Sequence, residues 1–307
     1  MRIILTGASG FIGRRLSSML LERGHELICL LRSGAPCPRG ATAVAVDFRR
    51  LEELNDLPVS DAVIHLAQSR RYCDFPNSAD DIFVVNAAST ARLLHLATRN
   101  GTKGFVLAST GSVYSGGDAR WTEDAILRPT GLYGASKAAA EVLLPAYRSF
   151  FHACALRLFT PYGPGQDDRL IPTLIARVRA RRAVSLDGNA GGLRLSVTYV
   201  DDVASTFVAA AEQVWQGTYN VASPTPTCIA EVAGAIGSRL GIAPTFERTG
   251  KPEPPPLIAD VSRLFGVHDV ARFAPLATGI DRTLAGENAR LKPRSDSSGR
   301  GSRYRPP

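Results

Sequence analysis

The sequence predicts an α/β fold, a doubly wound parallel sheet followed by a smaller C-terminal α/β lobe, and three observations predict it. Short runs rich in Val, Ile and Leu alternate with longer helical patterns through the first half of the chain. A glycine-rich turn, Gly7-Ala8-Ser9-Gly10-Phe11-Ile12-Gly13, joins the first such run to the first helix. With 307 residues, 45% of them hydrophobic and 21% charged, the chain can bury a full core and has an ordinary globular composition.

Taken in order, residues 2 to 6 read as a strand and 11 to 23 as a helix, then 26 to 31 and 43 to 46 as strands. A strand at 62 to 67 precedes a helix at 79 to 100, a strand at 104 to 109 precedes a helix at 132 to 151, and a strand follows at 154 to 159. The strand runs are apolar throughout, as expected of a parallel sheet covered on both faces. Pro and Gly then thicken at Pro161-Tyr162-Gly163-Pro164-Gly165, where the alternation breaks. The expected organisation is a first domain over 1 to 165, a lobe over 166 to 286 with some segments returning to the core, and a basic tail over 287 to 307. The lobe reads as helices at 170 to 182, 203 to 213 and 229 to 240, short strands at 183 to 186 and 218 to 221, and a Pro-rich loop at 251 to 256.

The formal charge of +8 does not make this a nucleic-acid binder. Residues 287 to 307 hold six Lys/Arg against two Asp/Glu, so four of the eight charges lie in a tail without apolar periodicity, expected to be mobile and solvated. Five scattered cysteines, an odd number with no Cys-x-x-Cys spacing, argue against a disulfide framework and against a metal site. The apolar start Ile3-Ile4-Leu5 is too short for a secretion signal, and no apolar run approaches bilayer length. The expectation is a cytoplasmic protein with no membrane and no nucleic-acid partner.

Gly7, Gly10 and Gly13, after a strand and opening a helix, let the backbone approach a pyrophosphate closely, with Phe11 and Ile12 supplying free helix N–H groups. The next strand ends Leu30-Leu31-Arg32-Ser33. A carboxylate that would select the ribose 2′-hydroxyl of NAD is missing there, and Arg32 offers a guanidinium fork for a 2′-phosphate, so NADP is favoured over NAD. Asp47-Phe48 after the third strand, Leu66-Ala67-Gln68 ending the fourth, and Asn86 within the long helix suit the rest of a dinucleotide when they occur in this order.

Tyr133 and Lys137 in Tyr133-Gly134-Ala135-Ser136-Lys137 stand four apart, on one face of a helix, where an ammonium can lower the pKa of a phenol. To serve as a base near pH 7 the phenol needs a shift of about three units, roughly 4 kcal/mol, shared between Lys137 and an oxidised nicotinamide. Ser109-Thr110, at the end of a strand, supplies a hydroxyl to hold the substrate oxygen, and Thr110 is chosen for that role.

With these residues in place, the chain resembles the extended short-chain dehydrogenases/reductases, the nucleotide-sugar epimerases, dehydratases and ketoreductases, over about residues 1 to 285. The matching pieces are Thr6 to Gly13, Asp47-Phe48, His65-Leu66-Ala67, Asn86, Ser109 to Tyr114, Pro129 to Lys137, Arg157 to Gly165, and Arg194 before Tyr199-Val200-Asp201-Asp202-Val203. The resemblance implies a Rossmann-type NAD(P) domain and a substrate lobe. It implies Tyr133 as acid/base, Lys137 on the nicotinamide ribose, Thr110 on the substrate oxygen, Phe159 near the nicotinamide, and a homodimer built from the helices around 79 to 100 and 132 to 151. Ser109 joins the expected cofactor contacts, and Ser112, Thr160 and Arg194 are expected on the substrate side, with Arg194 meeting a sugar-nucleotide phosphate.

The sequence also departs from the family pattern. Dehydratases that make 4-keto-6-deoxy sugars carry an acidic pair directly after the catalytic hydroxyl, where this chain has Gly111 and Ser112. That disfavours 4,6-dehydration and leaves ketone reduction, alcohol oxidation, or epimerisation through a transient ketone. The family's asparagine before the Tyr-Gly-Pro run is Thr160, and Lys251 stands in the region of a second phosphate-binding arginine. Ser69, Arg70 and Arg71 either border the same pocket or form a solvated loop. The expected activity is hydride transfer at a keto or hydroxyl carbon of a nucleotide sugar, tilted toward reduction by the NADP preference. The alternatives are an epimerase that retains its cofactor and a non-catalytic dinucleotide sensor or scaffold.

Overall fold

The computed structural model describes residues 1–291 apart from 116, 118, 119 and 168. The expected tail beyond 291 lies outside the described residues. Six strands, β1 (Arg2–Thr6), β2 (Glu26–Leu31), β3 (Thr42–Ala45), β4 (Ala62–His65), β5 (Gly104–Thr110) and β6 (His152–Leu158), form one sheet with the strand Gly217–Val221. Its order is Gly217–Val221, β6, β5, β4, β1, β2, β3, with every pairing parallel. Ile4 pairs with Val63 on one side and Ile28 on the other, so β1 is an interior strand between β4 and β2. All seven residues of β5 are buried, as the unbroken apolar run anticipated.

Two apolar layers cover the sheet. On one face α1 (Phe11–Glu22) sends in Leu16 and Leu20, beside Val203, Ala204 and Phe207 of a later helix, Val200–Glu212. On the other face lie α2 (Ala79–Phe83), α3 (Ser89–Arg99) and α4 (Leu132–Leu143), with Leu93, Leu94 and Ala140 against β1, β4 and β5. The single helix expected over 79 to 100 is interrupted by a π turn at Val84–Ala88, and Asn86 sits in it. Such widened turns re-aim a side chain and gather at functional positions. The helix expected to reach 151 leaves α-geometry after Leu143, because Pro145 offers no N–H, and continues as a 3₁₀ turn at Leu144–Tyr147.

The lobe has its own core, in which Leu174, Ile175 and Val178 of α5 (Leu170–Arg179) meet Val232, Ala233 and Ile236 of the helix Ile229–Leu240 and Ile280 of Leu276–Leu291. Short strand pairs, Val184–Leu186 with Phe246–Arg248 and Arg194–Leu195 with Thr227–Cys228, complete it. The helix Val200–Glu212 and the strand Gly217–Val221 cross back to the first layer. The C-terminal helix runs on to Leu291, into the segment read from sequence as tail. No helix among the described residues is long and apolar enough to cross a membrane.

Candidate active site

Because β1 sits between β2 and β4, connections leave its two sides in opposite directions, and a crevice opens at the C-terminal strand ends. A cavity of about 920 Å³ fills it. Gly7 forms its floor with φ at +72°, and a Cβ there would lie 2.9 Å from the carbonyl carbon of Leu66. At Gly13 a Cβ would meet the Gly7 carbonyl oxygen at 2.1 Å. The turn therefore stays flat against the helix start. α1 begins without a side-chain cap, leaving its first N–H groups beside Gly10, Phe11 and Ile12 to face an anion. This bare cradle fits a dinucleotide pyrophosphate.

At the adenosine end the cavity wall includes Arg32, Asp47 and Phe48. Arg49 grips Asp47 through Nε at 2.9 Å and Nη2 at 2.5 Å, which holds that carboxyl down at about 2. An adjoining hollow of about 850 Å³ gathers Arg32, Ser33, Arg49, Arg50 and Arg70, with Arg50 paired to Glu53 at 3.0 Å. Leu66, Ala67 and Gln68 line the next stretch, and Ser69, Arg70 and Arg71 border the same cavity.

His65, one residue before Leu66, is wholly buried. Its Nδ1 lies 2.7 Å from Thr6 Oγ1 and its Nε2 3.3 Å from Ser89 Oγ. Thr6 Oγ1 also accepts from the Ala67 N–H at 2.9 Å, and Ser89 Oγ donates to the Val85 carbonyl. The proton inventory then assigns the imidazole: Thr6 donates to Nδ1, and Nε2–H donates to Ser89. Burial, with Lys137 nearby, pushes this histidine down to about 3, so it is neutral.

Thr110 ends β5, and its Oγ1 accepts the Ser112 N–H at 3.1 Å, capping the turn Gly111–Val113. Tyr133 enters from the first turn of α4, where its hydroxyl donates to Gln68 Oε1 at 3.1 Å and its ring lies 5.4 Å from that of Tyr72. Gly134 permits this approach, since a Cβ there would come within 2.2 Å of the Ser112 carbonyl oxygen. Burial raises the Tyr133 pKa, opposed by a hydrogen bond with Thr110 and by the charge of Arg169. The phenol in this setting is a proton donor. Lys137 is 1% exposed, and its ammonium donates to the Ala108 carbonyl at 3.0 Å. Its burial pulls it down to about 8, while Glu141 holds it up.

Thr110, Ser112, Tyr133 and Thr160 therefore meet in one cavity with the glycine cradle. Five other expected site residues do not line it, and one of them, Ser33, lies in the adjoining hollow. Lys137 stands behind the end of β5. Asn86 is buried, accepting the Ser69 N–H at 2.9 Å and donating to Ser136 Oγ at 3.0 Å, so it ties the β4 exit to α4. Phe159 is buried behind Gly111, where a Cβ would touch its ring at 2.9 Å. Arg194 is exposed on a two-residue strand in the lobe, and Leu257, whose N–H bonds the Arg194 carbonyl, lines the cavity instead. The hydroxyl of Ser109, though in the wall, is spent on Glu141.

Sequence reasoning missed Glu141, Tyr72 and Arg169. Glu141 stands one turn beyond Lys137, a spacing visible in the sequence. Arg169 lies over the Tyr72 ring at 4.6 Å, a pairing across the cleft with no local signal. Among the described residues no cluster of three or more His, Cys, Asp or Glu could hold a metal ion.

Known proteins resemble this chain over most of its length. A UDP-glucose 4-epimerase of Mycolicibacterium smegmatis is 30% identical over 317 aligned positions, covering 92% of this chain and 97% of its own. A dTDP-glucose 4,6-dehydratase of Streptomyces griseus is 32% identical over 220, covering 65% of this chain and 66% of its own. The solved UDP-glucose 4-epimerase of Thermus thermophilus, in complex with NAD, superposes with a TM-score of 0.77 at 27% identity, over 95% of this chain and all of its own. The family profile described as NAD dependent epimerase/dehydratase matches residues 3–222, so the chain, an enzyme built around a nicotinamide dinucleotide, belongs to the NAD dependent epimerase/dehydratase family.

Proposed function

We propose that the protein moves a hydride at a hydroxyl or keto carbon of a nucleotide sugar, with Tyr133 as the acid/base. The observation that carries this reading is the meeting of Tyr133 and Thr110 over the glycine cradle, with Lys137 buried behind them. When bound, the dinucleotide supplies or accepts the hydride. Thr110 holds the substrate oxygen, and Tyr133 gives its proton to that oxygen in the reductive direction or takes it in the oxidative one. Lys137 lowers the cost of the phenolate by its charge. Residues 166 to 286 form most of the sugar-nucleotide side, with Ser112 and Thr160 beside the reacting carbon.

The family includes dehydratases, but the position after Thr110 argues against 4,6-dehydration here. Gly111 cannot be replaced by an acid without displacing Phe159, and Ser112 is no acid. The arginines around Arg32 and Ser33 support NADP and net reduction. A second reading, epimerisation with a retained NAD, draws on the names of the relatives above. Native mass spectrometry of the co-purifying nucleotide, followed by a nucleotide-sugar panel read for absorbance and for isomers, separates the two. The Tyr133→Phe variant tests both: turnover should fall about 10³-fold while dinucleotide binding persists. A fully active variant overturns the assignment.

A further inference from the structure

Two consecutive arginines follow the glycine turn, and the fold uses them differently. Arg15 forks onto Asp201 of the helix Val200–Glu212, with Nε at 2.6 Å and Nη2 at 3.1 Å, an ion pair between neighbouring helices. Arg14 makes no ion pair among the described residues. Its guanidinium donates to two carbonyls, that of Ser9 through Nη1 at 3.3 Å and that of Gly165 through Nη2 at 3.1 Å. Ser9 belongs to the glycine turn and Gly165 to the segment entering the lobe, so this one side chain spans the crevice.

The helix places it there. Arg14 stands one turn beyond Gly10, whose carbonyl accepts the Arg14 N–H at 3.0 Å, and a helical side chain leans back over the turn before it. Gly10 has no side chain to fill that space and α1 has no side-chain cap, so the guanidinium comes to the end of the helix where the N–H groups are free. Arg14 lines both the main cavity and the adjoining hollow, as Arg32, Arg49 and Arg70 also do. The described acidic residues along the main cavity are turned to other uses or to solvent. Asp47 is held by Arg49, Asp81 accepts from Ser69, and Asp167 is exposed two residues beyond Gly165. Carbonyl partners leave the Arg14 charge in place, and the guanidinium has N–H donors beyond the two they occupy.

We propose that Arg14 is a dinucleotide-binding residue that governs how long the cofactor stays. Its charge adds to the free helix N–H groups against the pyrophosphate. Its bond to the Gly165 carbonyl joins that end of the crevice to the lobe, so a departing dinucleotide gives up a contact shared by both walls. Residence time bears on the two readings above, since a reductase releases its cofactor at each turnover and an epimerase keeps it. The inference rests on the dinucleotide seat over the glycine turn and not on Tyr133.

Full-length protein freed of co-purifying nucleotide is loaded with NADH or with NADPH, and release into excess ADP-ribose is followed by nicotinamide fluorescence in a stopped-flow instrument. From Arg14→Met both dinucleotides should leave about tenfold faster, by equal factors, because the pyrophosphate is common to the two. The urea midpoint of the unliganded variant should match wild type. Unchanged release rates overturn the proposal. Faster release of NADPH alone also overturns it, since Arg14 would then read the 2′-phosphate, and so does faster release accompanied by a lowered urea midpoint, which assigns Arg14 to domain packing. If Arg14→Met does not fold, Arg14→Lys, which keeps the charge and loses the fork, is read by the same criteria with a smaller expected factor. Failure of both to fold, or a wild-type protein that binds neither dinucleotide, overturns it as well. Full turnover in Tyr133→Phe would bear on the acid/base assignment alone, a distinct outcome.

Discussion

The ring of Phe159 occupies the space that a side chain on Gly111 would need, with ring carbons 2.9 to 3.0 Å from the ideal Cβ position. Residue 111 directly follows Thr110, so this contact limits which side chain can stand beside the Thr110 hydroxyl. Gly111→Asp should destabilise the protein by about 1–3 kcal/mol through overpacking and should not confer dehydration. In a Phe159→Ala background, itself destabilised by loss of the buried ring, Gly111→Asp should cost less than it does alone. Urea unfolding of the four proteins measures this, and a Gly111→Asp variant as stable as wild type would contradict it.

Thr160 holds φ at +36° in the cavity wall, a left-handed conformation that a β-branched residue adopts only under strain. Asn tolerates that region far better. Thr160→Asn should raise stability by about 1 kcal/mol, read as a higher denaturation midpoint at unchanged slope. A lower midpoint would show that the threonine side chain outweighs its backbone cost.

His65 makes stability depend on acid. Its folded pKa of about 3 lies below the ordinary value of 6.5, so the unfolded chain binds the extra proton between those values. Stability from this group is full above pH 6.5 and is lost as pH falls toward 3, at about 1.4 kcal/mol per unit within the window. Asp202, raised to about 6 by burial, slopes the opposite way over part of that range, so the test is a difference. His65→Gln should show a shallower loss between pH 6.5 and 4.5 than wild type. Parallel curves would exclude His65 as the cause.

Arg32 lies where the adenosine ribose is expected, at the end of β2, with Ser33 in the adjoining hollow. Arg32→Glu should weaken NADP binding by about tenfold or more, 1.4 kcal/mol, and leave NAD binding no weaker. Calorimetric titration with both dinucleotides checks it. Equal losses for the two would mean that Arg32 shapes the groove without reading the 2′ position.

Much of this protein was legible in one dimension because the signals involved are local. Strand and helix order follows from hydrophobic period, the cradle from glycines within one turn, and the pairing of Tyr133 with Lys137 from the helical repeat. Element ends were read less well where a single residue overrode the period, as Pro145 does after α4. The reading of Asn86 as a cofactor contact had the right residue in a different place, because a π turn directs its amide to Ser69 and Ser136.

By itself the sequence determined the family, the layered sheet and the acid/base candidate, since each is written in short-range spacing. Only the tertiary structure decided that Ser109 serves Glu141, that Phe159 closes the space over Gly111, and that Arg194 stands apart from the cavity. These are matters of which side chains far apart in the chain share a few cubic ångströms. Packing resolves them through sterics and desolvation, and no spacing rule encodes the answer.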